Sequence, residues 1–161
     1  IDASGTHASS ATASGTTTVT SNGTTTTVSS VTSSYISHTT IESALANNNV
    51  TVQTSVGPAG EGDITIASDG AITYTGSTAR TLTLKADRHV KLNAGGNITS
   101  TNAPLNVHFW ADSDKSGDGI NQVTATTVST NGGWLKFGNN DSASIGGNTV
   151  LVGGDVYFNG A

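Results

Sequence analysis

Gly95-Gly96-Asn97-Ile98-Thr99 is a turn followed by a strand, and the phrase keeps returning along the chain. It reads Glu61-Gly62-Asp63-Ile64-Thr65-Ile66, then Gly146-Gly147-Asn148-Thr149-Val150-Leu151-Val152, then Gly153-Gly154-Asp155-Val156-Tyr157-Phe158. Gly132-Gly133-Trp134-Leu135-Lys136-Phe137 is a variant without the acidic or amide residue. Glycine and Asn/Asp accept the backbone of tight turns. The residues after them alternate apolar and polar, the period of a half-buried strand. Turn and strand recurring with almost no helical interruption point to a coiled β-architecture.

Outward from these phrases the alternation continues. Val50/Val52, Ile72/Tyr74, Leu82/Leu84, Val90/Leu92, Leu105/Val107/Phe109 and Leu135/Phe137 each place one set on one face. Leu105 follows Leu82 by 23 residues, Val128 follows Leu105 by 23, and Trp134 follows Trp110 by 24. The spacing predicts coils of three short strands and three turns, about five of them over residues 41–161. The expected fold class is all-β, a parallel β-helix (solenoid); a β-sandwich is the competing architecture. Thr39-Thr40-Ile41-Glu42 has capping-box spacing, and Ile41, Ala44 and Leu45 share a helical face. One short helix is therefore expected near residues 40–46, with Thr39 as its N-cap. Residues 1–34 are Ser/Thr-rich and read as an extended segment or linker, or as a pairing strand, ahead of a β-helix domain over residues 35–161. Asn22-Gly23 between two Thr-rich runs is a hairpin signal.

Composition narrows the class. Of 161 residues 34% are hydrophobic and 11% charged, with net charge −5. Low hydrophobicity without high net charge is a thin β-structure rather than a disordered chain. The acidic balance and the lack of a Lys/Arg cluster argue against nucleic acid as partner. No apolar run approaches the roughly 20 residues of a membrane span, and no signal peptide is visible at Ile1. There is no cysteine, hence no disulfide framework. The lack of methionine reads as a processed product or an excised fragment.

Three phrases carry a family resemblance. They are Thr40-Ile41-Glu42-Ser43-Ala44-Leu45 leading into Asn49-Val50-Thr51-Val52-Gln53-Thr54; Gly62-Asp63-Ile64-Thr65-Ile66 followed by residues 81–94; and Ala111-Asp112-Ser113-Asp114 followed by Gly117-Asp118-Gly119 and Thr130-Asn131-Gly132-Gly133. From Ile41 to Gly138 the chain resembles the filamentous-haemagglutinin-like exoproteins of two-partner secretion. The resemblance implies a right-handed parallel β-helix and a shaft segment. It does not imply the secretion domain, because no Asn-Pro-Asn motif is present: Pro58 and Pro104 do not sit between asparagines.

Few constellations carry chemistry. Asp112, Asp114, Ser116 and Gly117 match positions 1, 3, 5 and 6 of a calcium loop, with Asp118 beside them. Position 12 is Val123 instead of Glu, so the stretch reads as half a calcium site or as a solvated acidic turn. Calcium is the only cofactor that these residues suggest. Trp110 and Trp134 are expected to point outward on neighbouring rungs, one above the other, as a contact surface for glycan or protein. His7, His38, His89 and His108 read as surface residues. Asp87 with Asp112 could be set as the paired carboxylates of a polysaccharide-cleaving site, but nothing in the sequence singles them out. Recurrent Thr-x-Thr pairs raise ice binding, but their spacing is too irregular for one flat array. The expected function is non-enzymatic: a structural or adhesive segment of an extracellular, cell-surface bacterial fibre, in attachment or biofilm matrix. A surface glycan-binding module is the alternative, and the expected partners are head-to-tail copies and host or matrix glycans.

Overall fold

The computed structural model describes residues 1, 15–21, 24–30, 36–55, 62–117, 119–138, 142–146, 150–152 and 156–158. Among the described residues the chain is mostly β, with parallel sheets and one short helix. Two strands come first, β1 (Gly15–Ser21) and β2 (Thr24–Ser30), then the helix α1 (His38–Asn47). From there the chain visits three sheets in fixed rotation. The first round is β3 (Val50–Ser55), β4 (Ile64–Ile66) and β5 (Ile72–Tyr74). The second is β6 (Arg80–Lys85), β7 (Val90–Leu92) and β8 (Ile98–Ser100). The third is β9 (Leu105–Trp110), β10 (Ile120–Thr124) and β11 (Thr127–Ser129). The fourth is β12 (Leu135–Phe137), β13 (Ser142–Gly146) and β14 (Val150–Val152), after which β15 (Val156–Phe158) opens a fifth.

Each sheet gains one parallel strand per round. The first sheet runs β15-β12-β9-β6-β3-β1-β2, the second β13-β10-β7-β4, the third β14-β11-β8-β5. Like residues stack in columns. Val50, Leu82, Val107 and Leu135 align in the first sheet, as do Val52, Leu84, Phe109 and Phe137. All eight are at most 3% exposed, so the strand register read from alternation holds. Phe109 and Phe137 meet ring to ring, centroids 5.4 Å apart and tilted by 60°, a favoured aromatic geometry. Val150, Val152, Val156 and Phe158 have side chains outside the described residues.

The regular period of about 23 residues is corrected. Leu82 pairs with Val107, not Leu105, and Leu105 and Val128 lie in different sheets. Successive partners in the first sheet are 32, 25, 28 and 21 residues apart. Turn lengths vary while strand positions do not.

The glycine pairs have a steric cause. Gly95 and Gly132 adopt φ of +87° and +89°, a region that L side chains avoid. The second glycine of each pair lies against the previous rung. A Cβ on Gly96 would stand 2.8 Å from the Ile66 carbonyl oxygen, and one on Gly133 only 2.2 Å from that of Leu105.

The N-terminal side of all three sheets is covered. β1 lies antiparallel on β3, Val19 opposite Val52, and β2 lies antiparallel on β1. Asn22 and Gly23, between them, lie outside the described residues. The strand that β1 pairs with is thus β3 of the same chain. Ile1 covers β4: its nitrogen donates to the Thr65 carbonyl (2.6 Å) and its carbonyl accepts from Ala67 N–H (2.9 Å). Helix α1 covers β5, burying Ile41 and Leu45. Its N-cap is Ser37, not Thr39. Ser37 Oγ accepts from Thr39 N–H at 3.2 Å, which satisfies one of the free N–H groups at a helix start. Glu42 does not close a capping box. Its Oε1 accepts from Thr73 N–H of β5 at 2.7 Å, taking an edge group of the sheet.

Candidate contact surface

In the described turn phrases the closing Asn or Asp binds the next rung. Asn97 Oδ1 accepts from Thr127 N–H (2.8 Å) and Thr126 Oγ1 (2.9 Å). Asn49 accepts from Thr81 N–H at 2.9 Å, Asp63 from His89 N–H at 3.3 Å, and Asn106 from Trp134 N–H at 3.1 Å. His89 Nδ1 does the same for Ile120 N–H at 3.1 Å. In every case the acceptor is the residue just before a strand column, and the donor is the residue aligned with it one round later. These pegs hold each new strand at its start. The sequence shows the amide residues but not their partners, which lie 26 to 32 positions away.

Asp63 carries more than a peg. Arg88 Nε lies 2.8 Å from its Oδ1 and Lys91 Nζ 2.7 Å from its Oδ2. Burial alone would raise this carboxyl, but hydrogen bonds and charge from Arg88 and Lys91 outweigh it and hold the group below its ordinary value.

The outward face of the first sheet carries both tryptophans. They sit on neighbouring rungs but not one above the other. Leu135 aligns with Val107, so Trp134 stands over Asn106 and Gly138 over Trp110. Four strand positions separate the rings, because the third round is longer than the assumed period. Lys85 is opposite Trp110, its ammonium 4.7 Å from the ring centroid. His108 stacks on Trp110 with centroids 5.6 Å apart and 20° between planes. The surface reading of His108 is corrected: it is 9% exposed, covered by that ring, with Nε2 3.4 Å from the Gly138 carbonyl. His38 Nδ1 contacts Glu42 Oε1 at 3.1 Å, and His7 lies outside the described residues.

The acidic loop is tied to itself. Asp112 Oδ1 accepts from Gly117 N–H (2.9 Å) and Ser116 Oγ (3.1 Å), and Asp114 Oδ1 from Ser116 N–H (3.1 Å). Asp118 lies outside the described residues. Among the described residues no three His, Asp or Glu side chains converge as metal ligands. Asp87 Oδ1 accepts from Ser113 Oγ at 2.7 Å. The Thr-x-Thr pairs fall apart by sheet: Thr81/Thr83 lie in the first, and Thr73 and Thr99 in the third. Among the described residues no helix is long and apolar enough to cross a membrane. Comparison of the chain with family models, with curated proteins and with solved structures finds no match.

Proposed function

We propose that this chain is a structural and adhesive segment of an extracellular bacterial β-helical fibre, working in attachment or matrix assembly. The observation that carries the reading is the strand order: each of three sheets grows by one strand per round, in sequence order. A chain built this way lengthens in one direction without enlarging its core, which suits a spacer. A closed, right-handed coil belongs to the reading, because crossovers between parallel strands of one sheet are right-handed in about 98% of cases. So does kinship with the filamentous-haemagglutinin-like shafts. Head-to-tail contact, in this reading, continues the first sheet from β15 of one copy to β2 of the next. Electron microscopy of the purified protein at neutral pH tests it. Elongated particles that join end to end are expected; compact particles that stay single at every concentration overturn it.

A surface glycan-binding module is the second reading. The half-exposed Trp110 and Trp134, with Lys85 held over the first ring, favour it. Here Trp110→Ala abolishes binding to immobilised glycans while leaving the fold intact.

A further inference from the structure

We infer that the outward strip between Trp134 and Lys85 takes a uronate-bearing polysaccharide; this rests on the glycan-binding reading above. The protein as a whole is acidic, with net charge −5. The strip is not. The register sets Lys136 beside His108 and Lys85 beside Trp110, with Trp134 beside Asn106. No Asp or Glu occupies an outward position of β3, β6, β9 or β12. An uncharged or cationic patch on an acidic chain is a place where an anion approaches without repulsion.

The order of groups gives the ligand class. Two rings lie four residues apart along the strand direction, roughly 13 Å, with lysine at and between them. Ring faces and edges suit the apolar faces of sugars, and ammonium groups suit carboxylates. Lys136 and Lys85 lie two positions apart along the strand direction, roughly 7 Å, and two strands apart across the sheet, roughly 10 Å, so their ammonium groups can meet carboxylates on separate sugar units. They do not match the charge density of nucleic acid, where one negative charge falls every 1.7 Å or so of duplex. His108 is a positioning residue: buried against Trp110, it fixes the plane of that ring. The Lys85 ammonium is already held in place by the ring, which lowers the ordering cost of binding.

The test measures binding of the full chain to polygalacturonate oligomers, dextran, a densely sulfated polymer and single-stranded DNA. Each is titrated at low and at high salt. Polygalacturonate is expected to bind best and to weaken with salt, with dextran at least about tenfold weaker. Lys85→Gln and Lys136→Gln should each weaken polygalacturonate binding about tenfold and flatten its salt dependence, with unchanged unfolding curves. Trp110→Phe should retain most of the affinity. Polygalacturonate binding that ignores both lysine variants overturns the inference, as does equal or tighter binding of DNA or of the sulfated polymer. Dextran bound as tightly as polygalacturonate, and lost in Trp110→Ala, overturns the inference but upholds the glycan-binding reading. No saccharide bound at all overturns both.

Discussion

At the scale of single residues, the turn phrase works through two separate constraints. The second glycine gives way to the rung below, and the amide that follows binds the rung above. Gly133→Ala puts a methyl 2.2 Å from the Leu105 carbonyl oxygen, where only backbone movement relieves it. It should cost more than about 3 kcal/mol. Gly117→Ala meets nothing within 4 Å, so only its φ of +90° is strained, at about 1 kcal/mol. Urea unfolding of the two variants should separate them by that margin. Asn97→Ala loses the acceptor for Thr126 and Thr127 and should cost about 1–3 kcal/mol. Asn97→Asp keeps the oxygen and should stay close to the parent; equal losses in both variants would remove the peg as the cause. The glycines and amides are legible as turn formers. Their reach across a whole round is not, because hydrogen bonds spanning about 30 residues leave no local pattern. His108 escapes a sequence reading for the same reason: its cover comes from the fold of Trp110, not from the alternation that points it outward.

At the scale of the element, the strands are legible and their spacing is not. Period two in Leu82/Leu84 or Leu105/Val107 is imposed by the pleat and survives any turn length. A fixed repeat does not survive, because the nine residues between β9 and β10 lengthen one round relative to its neighbours. Leu105→Ala leaves a cavity at a 0% exposed position and should cost about 2–5 kcal/mol. A loss below 1 kcal/mol in chemical denaturation would place Leu105 outside the core. The helix lies where its pattern places it but carries a different cap. Ser37 precedes Thr39 by two residues, and Glu42 is diverted to β5 by an edge N–H that only the tertiary fold supplies. Between β4 and β7, the Asp63 carboxylate predicts a pH effect. Its folded value lies below the ordinary 3.8, so the ion pair stabilises the fold above that value. The contribution is lost as pH falls through the lowered folded value. Asp63→Asn should therefore flatten the stability profile below about pH 4 and should lower stability at pH 7. An unchanged acid limb would remove Asp63 as its source.

At the scale of the whole molecule, composition reveals a thin β-structure, while the covering of one end stays hidden. Ile1 meets Thr65 across 64 positions, and β1 meets β3 in antiparallel sense within a parallel sheet. Nothing in a Ser/Thr-rich segment names its partner strand. Deleting residues 1–34 uncovers the outer sides of β3 and β4. Exposed edges recruit other chains, so the truncated protein should scatter more light and unfold more readily than the parent. That scatter comes from irregular association at the bared edges, since the truncation also removes β2, the margin that the proposed head-to-tail contact uses. A truncated protein that remains as stable and as dispersed as the parent would show that the covering is idle. The position of β1–β2 and β15 at opposite margins of the first sheet has a mechanical consequence. A pull applied at these two margins acts along the hydrogen bonds between rungs, so the rungs peel away singly rather than shearing together. Leu82 to Val107 is 25 residues, so one unravelled round lets out roughly 85 Å of chain where it had occupied about 4.8 Å. Under sudden load such a stack yields at modest force and absorbs work through extension.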